Sequence, residues 1–122
     1  MPRGRAPEWI SVTSLDEFHA VESSAWQQAN LLDAGEADAL ALVRQVNADW
    51  FLTDDERARL LGKQLGLEVH GSLGVVLWAA AVRLIARQEA EATIERLANS
   101  SLWVSAAILR EAKSALEELY RD

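Results

Sequence analysis

Cysteine is absent from this chain of 122 residues, which excludes disulfide bonds, thiolate zinc sites and cysteine nucleophiles. The absence is compatible with a cytoplasmic protein, and we predict that location. Basic residues are also few, since 12 lysines and arginines against 19 aspartates and glutamates leave a formal net charge of −7. This charge argues against a protein held to nucleic acid by a broad basic surface. It leaves open a nuclease in which a divalent cation supplies the positive charge.

Long apolar runs are missing as well. The most apolar stretch, residues 73–85, is about 13 residues long and is interrupted by Arg83, whereas a helix needs roughly 20 apolar residues to cross a bilayer. The basic start of the chain, residues 1–7, lacks the apolar segment of a secretory signal. We therefore predict no membrane partner, and we interpret residues 73–85 as a buried helix.

What remains is the composition of a globular protein. Half of the residues are apolar and 25% are charged. A chain of this length usually forms one domain with one core. We expect a flexible N-terminal segment over residues 1–8 and a single domain over residues 9–122.

Patterns typical of strands and of helices alternate along the chain. The strand-like segments are residues 9–12, 49–53 and 67–70, with a further short extended piece at 101–105. The segments with helical periodicity are residues 14–32, 33–47, 54–65, 72–85, 88–99 and 107–120. This alternation predicts an α/β fold in which a short, mostly parallel sheet is covered by helices on both faces.

Two of these helices carry clear start signals. Ser14 followed by Glu17 is a capping pattern, and Ser72 is the expected N-cap of the fourth helix. The first helix has an apolar stripe that we expect to face the core. It consists of Phe18, Val21, Ala25, Ala29 and Leu32.

Two carboxylates, Glu36 and Asp54, stand where helices begin and are aligned with apolar stripes. The residues that share their helix faces are Ala39, Leu40 and Val43 for the first acid, and Ala58, Leu61 and Leu65 for the second. An acid that points inward is costly to keep unless it binds something, so both are candidate site residues. The alternative is that both acids only cap helix N-termini, in patterns that begin at Asp33 and Thr53.

Other polar residues are expected at the same edge of the sheet. Asp54 follows one predicted strand and Ser72 follows the next, and ligands of parallel sheets bind beyond the carboxyl ends of the strands. Ser72 is therefore a supporting candidate. His70, at the end of the second strand, is either a structural residue or a proton-transfer group near the site.

The helix that follows Asp54 also carries charged residues. Asp55 is expected to face outward and to pair with Arg59, four residues later. Arg57, Arg59 and Lys63 either contact nucleic-acid phosphates or form a solvated charged face.

Three blocks of sequence, residues 32–42, 48–55 and 65–77, resemble the PIN-domain superfamily in their order and spacing. The similarity is to its uncharacterised prokaryotic branch of predicted nucleic-acid-binding proteins related to VapC-like toxins, and it covers roughly residues 7–120. The resemblance implies a PIN-like, Rossmann-like fold and a ribonuclease site in which carboxylates hold Mg²⁺ or Mn²⁺. Glu36 and Asp54 match two of the catalytic and metal-binding acids, Asp55 is a further candidate metal ligand, and Thr53 matches the hydroxyl residue beside the last acid.

The same resemblance implies a departure from the family pattern. Members usually begin with a strand that carries an aspartate, followed by helices with a further glutamate, all upstream of the position of Trp9. We therefore expect an N-terminally truncated domain that lacks both the first strand and two of the family's metal ligands. We expect such a domain to pair with another copy as a homo-oligomer.

Two functions stay open. The first is a Mg²⁺- or Mn²⁺-dependent endoribonuclease of toxin type, which acts on RNA and has an antitoxin partner. The second is a non-catalytic module that binds a second copy or an intact PIN protein.

Overall fold

The chain forms six helices and two short strands in a computed structural model that describes residues 7–100 and 105–121. The elements in chain order are α1 (Glu17–Gln28), α2 (Ala34–Val46), β1 (Phe51–Leu52), α3 (Glu56–Gln64), β2 (Val69–His70), α4 (Ser72–Ala81), α5 (Arg87–Ala98) and α6 (Ala106–Leu119). In this part of the chain, no helix is long and apolar enough to cross a membrane.

The two strands form a parallel sheet with Phe51 opposite Val69 and Leu52 opposite His70. α3 connects them, as a helix must when neighbouring strands run in the same direction. The prediction of a helix-rich α/β fold with a short parallel sheet is thereby confirmed. Each strand has two residues, fewer than the segments 49–53 and 67–70 that the sequence indicated.

Apolar side chains gather in two clusters. The first lies between the sheet and the helices α2 and α3, and contains Leu32, Ala37, Leu40, Phe51 and Ala58. The second lies among α4, α5 and α6, and contains Ala80, Ala90, Ile94, Ala112 and Leu116. The predicted site residues lie at the ends of β1 and β2, beside the first cluster, and α4 begins directly after β2.

α1 differs from its prediction in both its start and its buried face. It begins at Glu17, and its N-cap is Asp16, whose carboxylate accepts the His19 N–H, so Ser14 is not the cap. Phe18 and Val21 of the predicted inward stripe are 70% and 64% exposed.

The face of α1 that packs on α2 is polar. Ser23 is buried and donates a 2.6 Å hydrogen bond to Asp38. Glu22 accepts a 2.7 Å hydrogen bond from Arg44. Because α2 presents an acid and an arginine to α1, complementary polar residues pack there and Phe18 and Val21 are left outside, whereas Leu32 at the end of the predicted stripe is buried.

The strand predicted near the start of the chain is not formed. Residues 9–12 do not form a strand, because the Ile10 N–H donates to the Pro7 carbonyl within a turn. Residues 1–6 of the predicted segment 1–8 lie outside the described residues, as do residues 101–104 of the predicted extended piece.

α4 also differs from its prediction. Gly71 is its N-cap and Ser72 its first residue, so the prediction of Ser72 as the cap is wrong. The helix ends at Ala81 rather than near residue 85, because Arg83 has a left-handed backbone with φ of 62°. It is only partly buried, since Trp78, Val82 and Leu84 in and after it are exposed.

Candidate functional site

Thr53 connects the end of β1 to the first turn of α2. Its hydroxyl donates a 2.9 Å hydrogen bond to Glu36 Oε2 and accepts a 3.1 Å hydrogen bond from the Asp55 N–H. Thr53 is nearly buried and Glu36 half-buried, so this acid does point toward the sheet. A capping hydrogen bond does not explain Glu36, because the N-cap Asp33 makes no side-chain cap hydrogen bond and the Glu36 carboxylate bonds to Thr53, although Glu36 does lie in the first turn of α2.

Asp54 bonds to the start of α4. Its Oδ1 accepts the backbone N–H of Ser72 at 2.7 Å, and its Oδ2 accepts the Ser72 hydroxyl. Asp54 is exposed and precedes α3, so its predicted position on an inward helix stripe is wrong. Helical spacing does not apply to Asp54, because α3 begins two residues later, at Glu56.

Gly71 allows this contact between Asp54 and the start of α4. A Cβ at Gly71 would lie 2.7 Å from Asp54 Oδ1, closer than such atoms approach in real structures. The glycine is therefore required for the Asp54 carboxylate to reach the backbone of Ser72.

Asp55 caps α3 and does not pair with Arg59. Its Oδ2 accepts the Ala58 N–H at 2.8 Å, which turns the carboxylate toward the helix and away from the predicted partner. The Arg59 guanidinium lies over the loop instead, with Nη1 3.6 Å from the position of a Cβ on Gly71. Spacing along α3 does not indicate this location, because Gly71 is distant in sequence from Arg59.

The other predicted basic residues lie away from the carboxylates. Arg57 donates a 2.8 Å hydrogen bond to the Asn30 carbonyl, in the turn between α1 and α2. Lys63 lies in the last turn of α3, at the opposite end of the helix from Asp54. Neither contributes to a basic surface beside the two acids.

A cavity of about 320 Å³ opens between the sheet edge, α4 and α5. Its lining residues are Leu52, Thr53, Asp54, His70, Gly71, Ser72, Val75, Val76, Thr93 and Leu97. Asp54 and Ser72 therefore share a cavity, whereas Glu36 does not line it. Sequence reasoning missed Thr93 and Leu97, because nothing in the pattern of α5 indicates which elements it packs beside.

His70 lies in the wall of this cavity. Its ring packs against Trp50 with a centroid distance of 4.3 Å. Its Nε2 is buried and has no hydrogen-bond partner among the described residues, and the nearest acid, Glu68, has an oxygen 3.6 Å away. The prediction of His70 near the candidate site therefore agrees with its position, although a proton-transfer role stays a prediction.

The donor set does not fit a Mg²⁺ or Mn²⁺ ion held by this chain alone. Within residues 7–100 and 105–121, no three histidines or acids come together in a way that could hold a metal. Glu36 bonds to Thr53, and both oxygens of Asp54 bond to Ser72. One or two carboxylates with several waters can hold Mg²⁺, but here each carboxylate would first have to give up hydrogen bonds to protein groups, so this arrangement does not favour a tightly held ion.

Comparison with known proteins identifies the family of this chain. A family model of a PIN domain matches residues 1–118. No curated protein and no solved structure matches the sequence. The match confirms the resemblance carried by the three sequence blocks and agrees with the parallel sheet and flanking helices. The chain therefore belongs to the PIN-domain family.

Proposed function

We propose that this protein acts through association with other macromolecules and that the single chain does not hydrolyse RNA. The observation that supports this most is the engagement of both candidate acids by the protein's own groups. Thr53 bonds to Glu36, and Ser72 bonds twice to Asp54. Removing either carboxylate from these partners for a metal would leave polar groups unpaired, at a cost of about 1–3 kcal/mol each where they are buried.

Exposed apolar side chains support the association half of the proposal. Phe18 and Val21 on α1 are largely exposed, and so is Leu52 on β1. Within the residues that the structure describes, both strands also lie at an edge of the sheet, where unpaired backbone groups are a template for another chain. A homo-oligomer, an intact PIN protein and an antitoxin are the candidate partners.

The second candidate function is Mg²⁺- or Mn²⁺-dependent cleavage of RNA in the manner of a toxin endonuclease. One observation favours it. Glu36 is bonded to Thr53, the residue next to Asp54, so both acids are tied to the carboxyl end of β1. That end of a parallel sheet is where ligands bind in α/β proteins. Family membership adds to this support.

A cleavage assay separates the two functions. The purified chain is incubated with Mn²⁺ and a mixed panel of RNAs, beside Glu36→Gln, Asp54→Asn and the control Asp49→Asn. Asp49 is an exposed acid two residues before β1 that none of the described side chains bonds to. We expect no cleavage above background from any of the four proteins, with circular dichroism showing that each is folded.

Cleavage by the parent that is kept in Asp49→Asn and lost in both site variants would overturn the proposal. Sedimentation of the same samples over a range of concentrations tests association. We expect species larger than 13.5 kDa, the mass of one chain. A strict monomer that binds no partner would contradict the association half.

A further inference from the structure

One edge of the sheet has unpaired backbone groups. Phe51 and Thr53 donate their N–H groups to the carbonyls of Glu68 and His70 on the β2 side. Because backbone groups alternate along a strand, the N–H and carbonyl of Leu52 point to the other side of β1. Within the described part of the chain, no strand lies on that side.

The side chains beside this edge leave an apolar space uncovered. Phe51 is 1% exposed and packs in the core, whereas Leu52, on the opposite face, is 57% exposed. Leu52 also lines the 320 Å³ cavity, whose apolar walls include Val75, Val76 and Leu97. An element placed along β1 would cover Leu52 and reach this cavity.

Negative charge surrounds both ends of β1. Asp49 precedes the strand, Asp54 follows it, and Glu36 is bonded to Thr53 at its end. Among the described residues, none of these three acids forms an ion pair with a lysine, arginine or histidine. A strand that arrives with positive charge would therefore meet carboxylates without an ion-pair partner at either end, although Glu36 and Asp54 already accept hydrogen bonds from Thr53 and Ser72.

The same charges disfavour a second copy of this chain at the edge. Antiparallel pairing of two β1 strands about Leu52 would bring Asp49 of each copy opposite Asp55 and next to Asp54 of the other. Like charges opposite each other destabilise strand pairs, and a net charge of −7 on each copy adds to the repulsion. The occupant that fits is thus a different polypeptide.

We propose that the β1 edge binds an extended segment of another protein, with apolar residues at alternate positions and arginine or lysine on both flanks. Its backbone pairs with the N–H and carbonyl of Leu52, its apolar side chains cover Leu52 and enter the cavity, and its cations meet Asp49 and Asp54. This is strand addition to an open sheet edge. The inference rests on the proposed function, because it names the partner class through which the protein would act.

Titration with a synthetic peptide tests the proposal. The probe is an eight-residue peptide whose four central residues alternate valine or isoleucine with threonine, between pairs of arginines, and it is added to ¹⁵N-labelled protein. Two matched peptides carry either glutamates in place of the arginines or N-methyl groups on alternate backbone nitrogens of the four central residues. We expect saturable shifts of the Leu52 amide signal, about ten-fold weaker binding of the glutamate peptide, and no binding of the N-methylated peptide.

Protein variants localise the binding site without relying on one substitution. Leu52→Ala should weaken binding by about ten-fold, whereas the control Leu84→Ala should not, because Leu84 is also exposed, at 67% against 57%, but does not line the cavity. Asp49→Asn should reduce the preference for the arginine peptide. Amide protection of the β1–β2 hydrogen bonds checks that each variant keeps its sheet.

Several results would overturn the inference. These are no shift at Leu52, equal binding of the arginine and glutamate peptides, binding of the N-methylated peptide, or a dimer of the chain that Leu52→Ala dissociates. Different results would show that the proposed function fails, namely RNA cleavage by the chain or a monomer that binds no partner. If the chain cleaves RNA and also binds the peptide at Leu52, the strand-addition inference holds and the non-catalytic proposal is wrong.

Discussion

The Thr53 hydroxyl donates a 2.9 Å hydrogen bond to Glu36 Oε2 and so ties the end of β1 to the first turn of α2. The same hydroxyl accepts the Asp55 N–H that precedes α3. One nearly buried side chain therefore connects three elements at the candidate site.

Replacing Thr53 with valine should destabilise the protein by about 1–3 kcal/mol, because the shape is kept while Glu36 and the Asp55 N–H lose their partner. Urea unfolding measures the change. Thr53→Ser should recover most of it. The matched control is Thr93→Val, whose hydroxyl donates to the Glu89 carbonyl and accepts from Arg96, both within α5, and a shift within about 0.5 kcal/mol is expected there. Equal effects at positions 53 and 93 would contradict the linking role.

Gly62 marks the closest approach of α3 to the sheet. A Cβ at this position would lie 2.9 Å from Val69 Cγ2 and 3.0 Å from Phe51 Cδ2. Gly62→Ala should therefore cost about 1–3 kcal/mol through overpacking of a filled core. Gly35→Ala is the control, since no atom lies within 4 Å of its Cβ position in α2, and it should stabilise by up to about 1 kcal/mol. Thermal unfolding compares the two, and a neutral Gly62→Ala would show that the sheet can move away.

Gly71 and Asp54 should be energetically coupled. Gly71→Ala places a Cβ where the Asp54 carboxylate lies, so the hydrogen bonds to Ser72 should break at a cost of about 1–3 kcal/mol. In an Asp54→Ala background the obstacle is gone, and the same glycine substitution should cost less than half as much. A double-mutant cycle of unfolding free energies measures this coupling. Additive effects would show that the two residues do not share the contact.

The start of α1 should depend on pH. The backbone N–H and ring of His19 donate to Asp16, which lowers the pKa of this carboxyl below its ordinary value of 3.8. A lowered folded-state pKa means that the stabilisation is present above the unfolded pKa and is lost as pH falls through the folded one. Amide protection in the first turn of α1 should therefore fall on acidification below about pH 4.

Two variants check the assignment of this pH dependence. Asp16→Asn should remove most of the acid-induced change in α1. Asp33→Asn should leave it intact, because Asp33 is the N-cap of α2 and makes no side-chain cap bond. Protection in α1 that is independent of pH down to pH 3 would contradict the capping role of Asp16.

Local sequence signals predicted most elements of this fold, since β1, β2, α2 and α5 lie within or close to the predicted segments. Asn47 ends α2 in the left-handed conformation that a helix stop requires. The prediction failed where tertiary contacts decide. The buried face of α1 is one example, because the polar Ser23 is buried where it donates a hydrogen bond to Asp38 on α2.

The candidate site shows the same division. Placing Thr53, Asp54 and Ser72 at one edge needed only the strand ends and the parallel-sheet rule. Their hydrogen bonds could not be predicted, because the contact between Asp54 and Ser72 depends on the path of two loops and on the missing Cβ of Gly71. Helical periodicity also misled for Asp54, which lies outside α3.

Titration of the ¹⁵N-labelled chain with Mn²⁺, followed by paramagnetic broadening of the Thr53 and Asp54 amide signals, tests directly whether Glu36 and Asp54 form a metal site. Glu36→Gln and Asp54→Asn are titrated in parallel. If both acids are held by Thr53 and Ser72, broadening should need about 1 mM Mn²⁺ or more, a weaker affinity than that of typical protein calcium sites. The concentration that is needed should change little in Glu36→Gln. Saturable broadening at micromolar Mn²⁺ that disappears in both variants would contradict this picture and establish a metal centre in the single chain.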